Sequence, residues 1–174
     1  MREIKSVFEI GCGAGAELYM FQQEGIKVGG IDYADSLVKV AGGVLNNPVE
    51  LLCGEAMDTT ADVKYDSVFS NGVFFYFPSQ EYAERVLEIM CDKSRYSIGL
   101  TSHDLAKKAA FLEYRSSTIK DYAERYRGLD RLFLSKEFFL NFAEKHGLSI
   151  RFSSFSLPSF WNSAFSYNVF MTRD

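Results

Sequence analysis

The sequence predicts a doubly wound α/β fold, a mostly parallel sheet with helices on both faces. Three observations carry that expectation. Short apolar runs recur and stop at glycine or polar residues, as buried parallel strands do. Stretches with helical spacing of apolar residues separate them, the alternation of βαβ units. No internal repeat or low-complexity linker interrupts the chain, so its 174 residues are expected to form one domain, residues 1–174.

Val7-Phe8-Glu9-Ile10 is the first strand, and it stops at Gly11-Cys12-Gly13-Ala14-Gly15. Residues 16–24 read as a helix closed by Gly25, and residues 26–31 as the second strand. Asp35 or Ser36 can cap the next helix, through about Leu45, which Pro48 ends. Residues 49–52 and 66–70 are the third and fourth strands. Residues 80–90 form a helix with Tyr82, Val86, Leu87 and Met90 as its apolar positions, and residues 96–100 the fifth strand. The rhythm then changes. Residues 104–126 are polar and helical, with no strand expected among them. Ser135 caps a helix over residues 136–146, which ends at Gly147 in the position after the C-cap. Residues 148–155 and 164–171 are the final strands, joined by a loop with Pro158, Trp161 and Asn162. A pair this close makes a hairpin, so the last strand runs antiparallel.

Composition excludes several functions. A formal charge of −4 with no basic run argues against a nucleic-acid partner. No segment is apolar for long enough to span a bilayer, and an acidic residue in the first few positions argues against a signal peptide. The cysteines, Cys12, Cys53 and Cys91, lack metal-ligand spacing, so no metal and a reducing, cytoplasmic setting are expected. The aromatic share of 16% falls mostly after residue 65; core packing is its ordinary use and a pocket for a flat ligand the alternative.

A glycine loop between a strand and a helix bares backbone N–H groups and lets a ligand approach closely. Gly11, Gly13 and Ala16 also fit the dinucleotide pattern G-x-G-x-x-G/A, and Asp32 at the tip of the second strand suits ribose hydroxyls of either ligand. Glu9 tips the balance. A carboxylate just before the glycines repels a pyrophosphate and pairs with a ligand that carries positive charge. The plainer reading turns Glu9 to solvent, makes Asp32 a helix cap, Glu55 a surface carboxylate and Asn71 a turn residue.

The segment Val7-Phe8-Glu9-Ile10-Gly11-Cys12-Gly13-Ala14-Gly15 resembles the first motif of the class I, Rossmann-like S-adenosylmethionine (SAM) methyltransferases. Gly30-Ile31-Asp32-Tyr33 resembles the family's second-strand motif, Cys53-Gly54-Glu55-Ala56-Met57 the segment after the third strand, and residues 65–77, with Asn71 and Gly72, the fourth-strand motif. Residues 138–148 resemble its late helix. Glu55 stands where the family has Asp. The resemblance implies a seven-stranded sheet in the order 3-2-1-4-5-7-6. It also implies a SAM site built from Glu9, Gly11, Cys12, Gly13, Gly15, Asp32, Tyr33, Glu55, Ala56, Asn71 and Gly72, with S-adenosylhomocysteine (SAH) as product. Asp32 would hold the ribose, Tyr33 pack on adenine, and Glu55 face the adenine amino group.

Methyl transfer needs alignment, exclusion of water and, for a hydroxyl acceptor, a base. His103 follows the fifth strand at the cofactor edge and is the candidate base and substrate contact; otherwise it is a loop histidine. His146, at a helix C-terminus, is structural. Tyr76, Asp104, Tyr114, Arg115, Arg131 and Asn168 are further pocket candidates, the two arginines for an anionic group or simply as solvated charges. Residues 104–134 fall where the family often builds a helical substrate cover. Residues 126–133 look similar to a stretch in bacterial methyltransferases found with surface-glycan genes, which suggests a small-molecule acceptor such as a sugar or surface-glycan precursor. The first strand begins almost at Met1, where the family carries lid helices. Cover is then expected from a homodimer, a partner subunit or the aromatic insertion. The alternatives are a cofactor-binding but catalytically degenerate partner subunit and, against Glu9, a nicotinamide oxidoreductase.

Overall fold

Each strand of the glycine-loop half hands its chain to a helix and returns parallel. The computed structural model describes residues 3–154 and 160–173. In chain order the first half runs β1 (Ser6–Ile10), α1 (Ala16–Gln23), β2 (Lys27–Asp32), α2 (Asp35–Val44), β3 (Glu50–Cys53) and β4 (Tyr65–Ser70). It continues through α3 (Gln80–Lys93), β5 (Ser94–Asp104), α4 (Lys108–Thr118), α5 (Tyr122–Arg125) and β6 (Phe133–Leu134), then α6 (Lys136–Lys145), β7 (Ser149–Ser153) and β8 (Ser166–Thr172). The sheet order is β3-β2-β1-β4-β5-β8-β7, the expected order once β6 is set aside. β8 pairs antiparallel with both β5 and β7, as the hairpin required.

Five details depart from the sequence reading. β6 is an eighth strand, pairing parallel with His103 and Asp104 of β5; two residues carry no readable periodicity. β5 extends to Asp104, because β6 and β8 supply partners for its end. The polar segment after it is not one helix. The Ser117 and Thr118 hydroxyls donate back to the Tyr114 carbonyl at 2.9 and 2.8 Å, and α4 stops there. Asp121 then starts α5 with φ of +56°. Residues 164–165 belong to a 3-10 turn, Trp161–Phe165, that also holds Asn162. Phe155 and Pro158 lie outside the described residues. Ala34, rather than Asp35 or Ser36, occupies the N-cap position of α2 with no side-chain capping bond, while Asp35 pairs with Lys39 at 2.6 Å one turn on.

The strands bury alternate residues on two faces. Phe8, Ile10, Val68, Ile98, Leu100, Val169 and Met171 join Val86, Leu87 and Met90 of α3 and Phe139 and Phe142 of α6 in the main core. Val7 and Val28 pack with Leu18 of α1 and Ala41 of α2 on the other face. The rest of that second face, with Phe69, Gly99 and Phe170 facing Ile4 and Phe21, lines an open trough of about 780 Å³. Ser79 and Ser135 accept the Tyr82 and Phe138 N–H groups and so cap α3 and α6.

The amino edge of the sheet is tied by charge. Lys93, wholly buried at the end of α3, donates to Glu50 at 2.8 Å and to the Thr60 carbonyl at 2.8 Å. Its ammonium lies 4.3 Å from the centre of the Phe8 ring. Room for this knot comes from Gly29, where a β-carbon would sit 2.2 Å from the Tyr65 hydroxyl.

Candidate active site

At the opposite, carboxyl edge, β1 ends in a loop whose shape depends on glycine. Gly11 takes φ of +79°, and a β-carbon there would meet Val73 Cγ2 at 2.2 Å. The Gly11 and Cys12 N–H groups donate to the Ile31 carbonyl at 2.8 and 3.0 Å, which joins the loop to the end of β2. Asp32 locks the same joint: Oδ2 accepts from Gly13 N–H at 2.8 Å and Oδ1 from Ala34 N–H at 2.9 Å. A carboxylate has about four acceptor sites, so Asp32 keeps capacity for a ligand's hydroxyls.

Beside this joint opens a cavity of about 660 Å³, walled by Gly11, Asp32, Tyr33, Glu55, Ala56, Gly72, Val73, Tyr76 and Tyr82 among others. Seven of the sequence candidates thus share one hollow: Gly11, Asp32, Tyr33, Glu55, Ala56, Gly72 and Tyr76. Tyr33 is 76% exposed at the rim. Glu55 begins the 3-10 turn Ala56–Asp58, where its own N–H donates to Asp58 Oδ2. Val73, Phe77, Pro78 and Tyr82 also line the hollow and were not singled out from sequence. Tyr82 read there as a core position of α3, yet it faces Glu55, and burial with that carboxylate pushes its phenol up.

Cys12 contributes backbone only. Its side chain turns into the α1 layer against Gly30, and burial, with Glu9 and Asp32 nearby, pushes its thiol up to about 12. Gly15 is the left-handed N-cap of α1, packed against Ala41. Asn71 points to the trough instead: its amide donates to Glu17, and the Thr101 hydroxyl lies 2.9 Å from its Oδ1 and from Asn168 Oδ1.

Glu9 is the anomaly of the site. It is 4% exposed, and its Oε2 has no hydrogen-bond partner. Burial, then Glu17 and Asp32, push its carboxyl up to about 9. Glu9, Glu17 and Asp32 converge here with no cation paired to them among the described residues, an arrangement that a positively charged ligand would complete.

The substrate candidates separate into two groups. Arg131 lies over Tyr76, 3.7 Å from the centre of a ring that walls the cavity, without lining the cavity itself. Tyr114 stacks on Trp161 at 5.5 Å, and Arg115 sits 4.9 Å from Trp161 and 5.2 Å from Tyr122, in a separate aromatic box. His103 stands between the groups, 2% exposed, stacked at 4.2 Å on Phe75 and 5.1 Å on Phe133, and 5.1 Å from Phe111. Its Nδ1 is 3.0 Å from Ser166 Oγ, whose proton goes to the Asn162 carbonyl at 3.1 Å. Nδ1 therefore carries the hydrogen of the neutral ring. Burial, then Arg131, lowers its pKa to about 4. Asp104 is spent on the Ala106 N–H at 2.9 Å.

Among the described residues no cluster of His, Cys, Asp and Glu is placed to hold a metal ion, and no helix is long and apolar enough to cross a membrane.

No curated protein sequence matches the chain. Solved structures do. Magnesium protoporphyrin IX methyltransferase of Synechocystis PCC 6803, with bound SAH, superposes with a TM-score of 0.73 at 18% identity, over 97% of this chain and 74% of that one. The plantazolicin methyltransferase BpumL, in complex with a triazolic desmethylPZN analog and SAH, gives 0.72 at 16% identity, over 99% and 78%. The Haloferax volcanii protein bound to the Trm112 methyltransferase activator gives 0.70 at 15%, over 99% and 84%. At these identities the likeness speaks for the fold. The sequence of residues 8–92, from β1 to α3, matches the family model described as methyltransferase domain. That match runs across the glycine loop, Asp32 and the β4 motif, so residues 8–92 are similar to a methyltransferase domain, on a sheet with the Rossmann-like methyltransferase strand order.

Proposed function

We propose that this chain binds SAM in the cavity beside the glycine loop and transfers its methyl group to a small molecule. The carrying observation is Glu9, a buried carboxylate with an unpartnered oxygen among further acids. SAM brings a sulfonium and an α-amino group, the positive charge this edge lacks; a dinucleotide would bring a pyrophosphate to the same place. The bare backbone of Gly11 gives the close approach that a β-carbon would fill. Asp32 would hold ribose hydroxyls, Tyr33 would cover the adenine face, and Glu55 and Ala56 would meet its edge, as in the family.

When bound, SAM supplies the electrophilic methyl for an in-line displacement. The chain's own part is to align the acceptor and to keep water away. Tyr76, Val73 and Phe77 make the wall beyond Gly72, and residues 104–134, with α4 and α5, would form the cover over the acceptor. Neutral His103, packed between rings, would serve as a wall of the acceptor pocket rather than as its base. We favour a sugar or surface-glycan precursor as acceptor, on the likeness of residues 126–133 noted above. Free Cys12, Cys53 and Cys91 fit a reducing, cytoplasmic setting.

Thermal denaturation with 1 equivalent to a large excess of SAM, SAH or NADH tests the reading. SAM and SAH are expected to raise Tm with concentration and NADH to leave it unchanged; stabilisation by NADH alone would overturn it. One observation favours a second reading, a cofactor-binding subunit completed by a partner or a second copy. The apolar trough beside α1 is open, and one structurally similar protein is bound to an activator. Methyl transfer by the isolated chain to any acceptor in a broad panel would exclude it.

A further inference from the structure

A buried cation that lies against aromatic rings still needs partners for its N–H donors. Lys93 has Glu50 and a carbonyl. Arg131 has neither. Its guanidinium lies face-on over Tyr76 at 3.7 Å and near Phe75 at 5.5 Å, yet Nη1 is buried without a hydrogen-bond partner. No carboxylate of the described residues forms an ion pair with it. Stacking satisfies the face of a guanidinium, but its N–H donors lie in the plane of the group, and ring stacking leaves them unused.

The arginine is held in place rather than loosely packed. The Leu132 N–H donates to the Phe75 carbonyl at 3.0 Å and ties the arginine's segment to the turn that carries Tyr76. Two residues on, β6 is fixed to β5 at His103. Tyr76 itself is 62% exposed and walls the cavity next to Gly72 and Val73. A fixed cation, short of a hydrogen-bonding partner, beside the acceptor end of the cavity calls for an oxyanion. Arg115 also has a buried donor without a partner, its Nε, but it leans on Tyr122, Tyr126 and Trp161 rather than on a residue of the cavity wall.

We infer that the methyl acceptor carries an anionic group, a carboxylate or a phosphate, which Arg131 binds over the Tyr76 wall while the rest of the acceptor faces the methyl donor. The inference rests on the SAM site proposed above and goes beyond it by naming the acceptor's charge. A bidentate carboxylate or phosphate would take the in-plane donors that the rings leave open. The neighbouring His103 is held neutral, so it neither competes for the anion nor duplicates the charge.

The test is binding to the SAH-loaded protein at constant ionic strength, read by thermal shift and by isothermal titration. The probes are benzoate for the carboxylate arm, phenyl phosphate for the phosphate arm and benzyl alcohol as the neutral control. At least one anion is expected to bind and benzyl alcohol to bind about tenfold more weakly or not at all. Arg131→Gln is expected to remove the anion's advantage while SAH affinity stays within about twofold. Arg131→Lys, which keeps the charge and loses the fork, should weaken the anion about three- to tenfold and serves as the deciding variant where Arg131→Gln fails to fold. Binding of SAH with equal affinity for the anions and benzyl alcohol, or with anion affinity unchanged in both variants, would overturn the inference and leave the cofactor reading standing. Failure of wild-type protein to bind SAH would overturn the cofactor reading, and the inference with it.

Discussion

The two edges of the sheet treat buried charge in opposite ways. At the amino edge every buried charge has its partner: Lys93 with Glu50, and Asp66 with the N–H groups of Lys5 and Ser6 and with Arg95. At the carboxyl edge Glu9 and Arg131 each keep a buried polar atom unpaired. Uncompensated buried charge is costly, and a fold that closes such groups at one edge has left them open at the other. The difference teaches where the molecule ends and its ligands begin.

The comparison breaks hardest at Lys93. Lys93→Ala leaves Glu50 with an unpaired charge and a void beside Phe8, and is expected to cost about 3–5 kcal/mol in urea unfolding. Glu9→Gln at the other edge should leave unliganded stability unchanged or higher, since it replaces a buried acid with an unpartnered oxygen by a neutral amide that never has to ionise. Equal losses from the two variants would erase the contrast.

Gly11→Ala strains a backbone at φ +79° and drives a methyl into Val73. A loss of about 2–3 kcal/mol is expected, accompanied by weaker SAM binding; calorimetry with and without SAM reads both. Glu9→Gln should weaken SAM by about tenfold, some 1.4 kcal/mol, without altering unliganded stability. Isothermal titration checks this, and an unchanged affinity would return Glu9 to a structural role.

The pH dependence separates the same groups. Folding raises the Glu9 carboxyl from 4.5 to about 9, so the folded protein holds that proton more tightly. The stability from that proton is full below pH 4.5 and is lost as pH rises to about 9. His103 runs the other way. Its pKa falls from 6.5 to about 4, so its contribution is full above pH 6.5 and is lost as pH falls toward 4. From pH 6.5 to 9 the unliganded protein should therefore lose stability relative to Glu9→Gln by up to about 1.4 kcal/mol per pH unit. Parallel profiles for the two proteins in that window would contradict the assignment. The smallest effect belongs to the far end of Lys93's own helix, where Ser79→Ala removes the cap of α3 and should cost about 1 kcal/mol in the same urea assay.

Much of the fold was legible because it is written locally. The βαβ alternation, the glycine loop, the Ser135 cap and the closing hairpin all depend on residues a few positions apart. What sequence missed was non-local or too short: β6, whose two residues form a strand only because β5 lies beside them, and the end of α4, where hydroxyls turn back on Tyr114. The site divided in the same way. Gly11, Asp32, Tyr33, Glu55, Ala56, Gly72 and Tyr76 meet in one cavity because each ends a strand or follows one at the same edge. Asn71 ends the same strand but turns to the other face, a choice that Glu17 and Thr101 make. His103 was placed in the right region, but its surroundings of Phe75, Phe111 and Phe133 come from elements distant in the chain.

The sequence by itself determined the succession of strands and helices along the chain, the glycine loop and the acid that precedes it, since hydrophobic period and turn chemistry act between near neighbours. Only the tertiary structure decided which charges are paired. Lys93 and Glu50 meet, Glu9 and Arg131 are left without partners, and His103 is walled in by rings. A residue's chemistry is set by its type, whereas its need for a ligand is set by what packing does or does not bring within hydrogen-bonding distance.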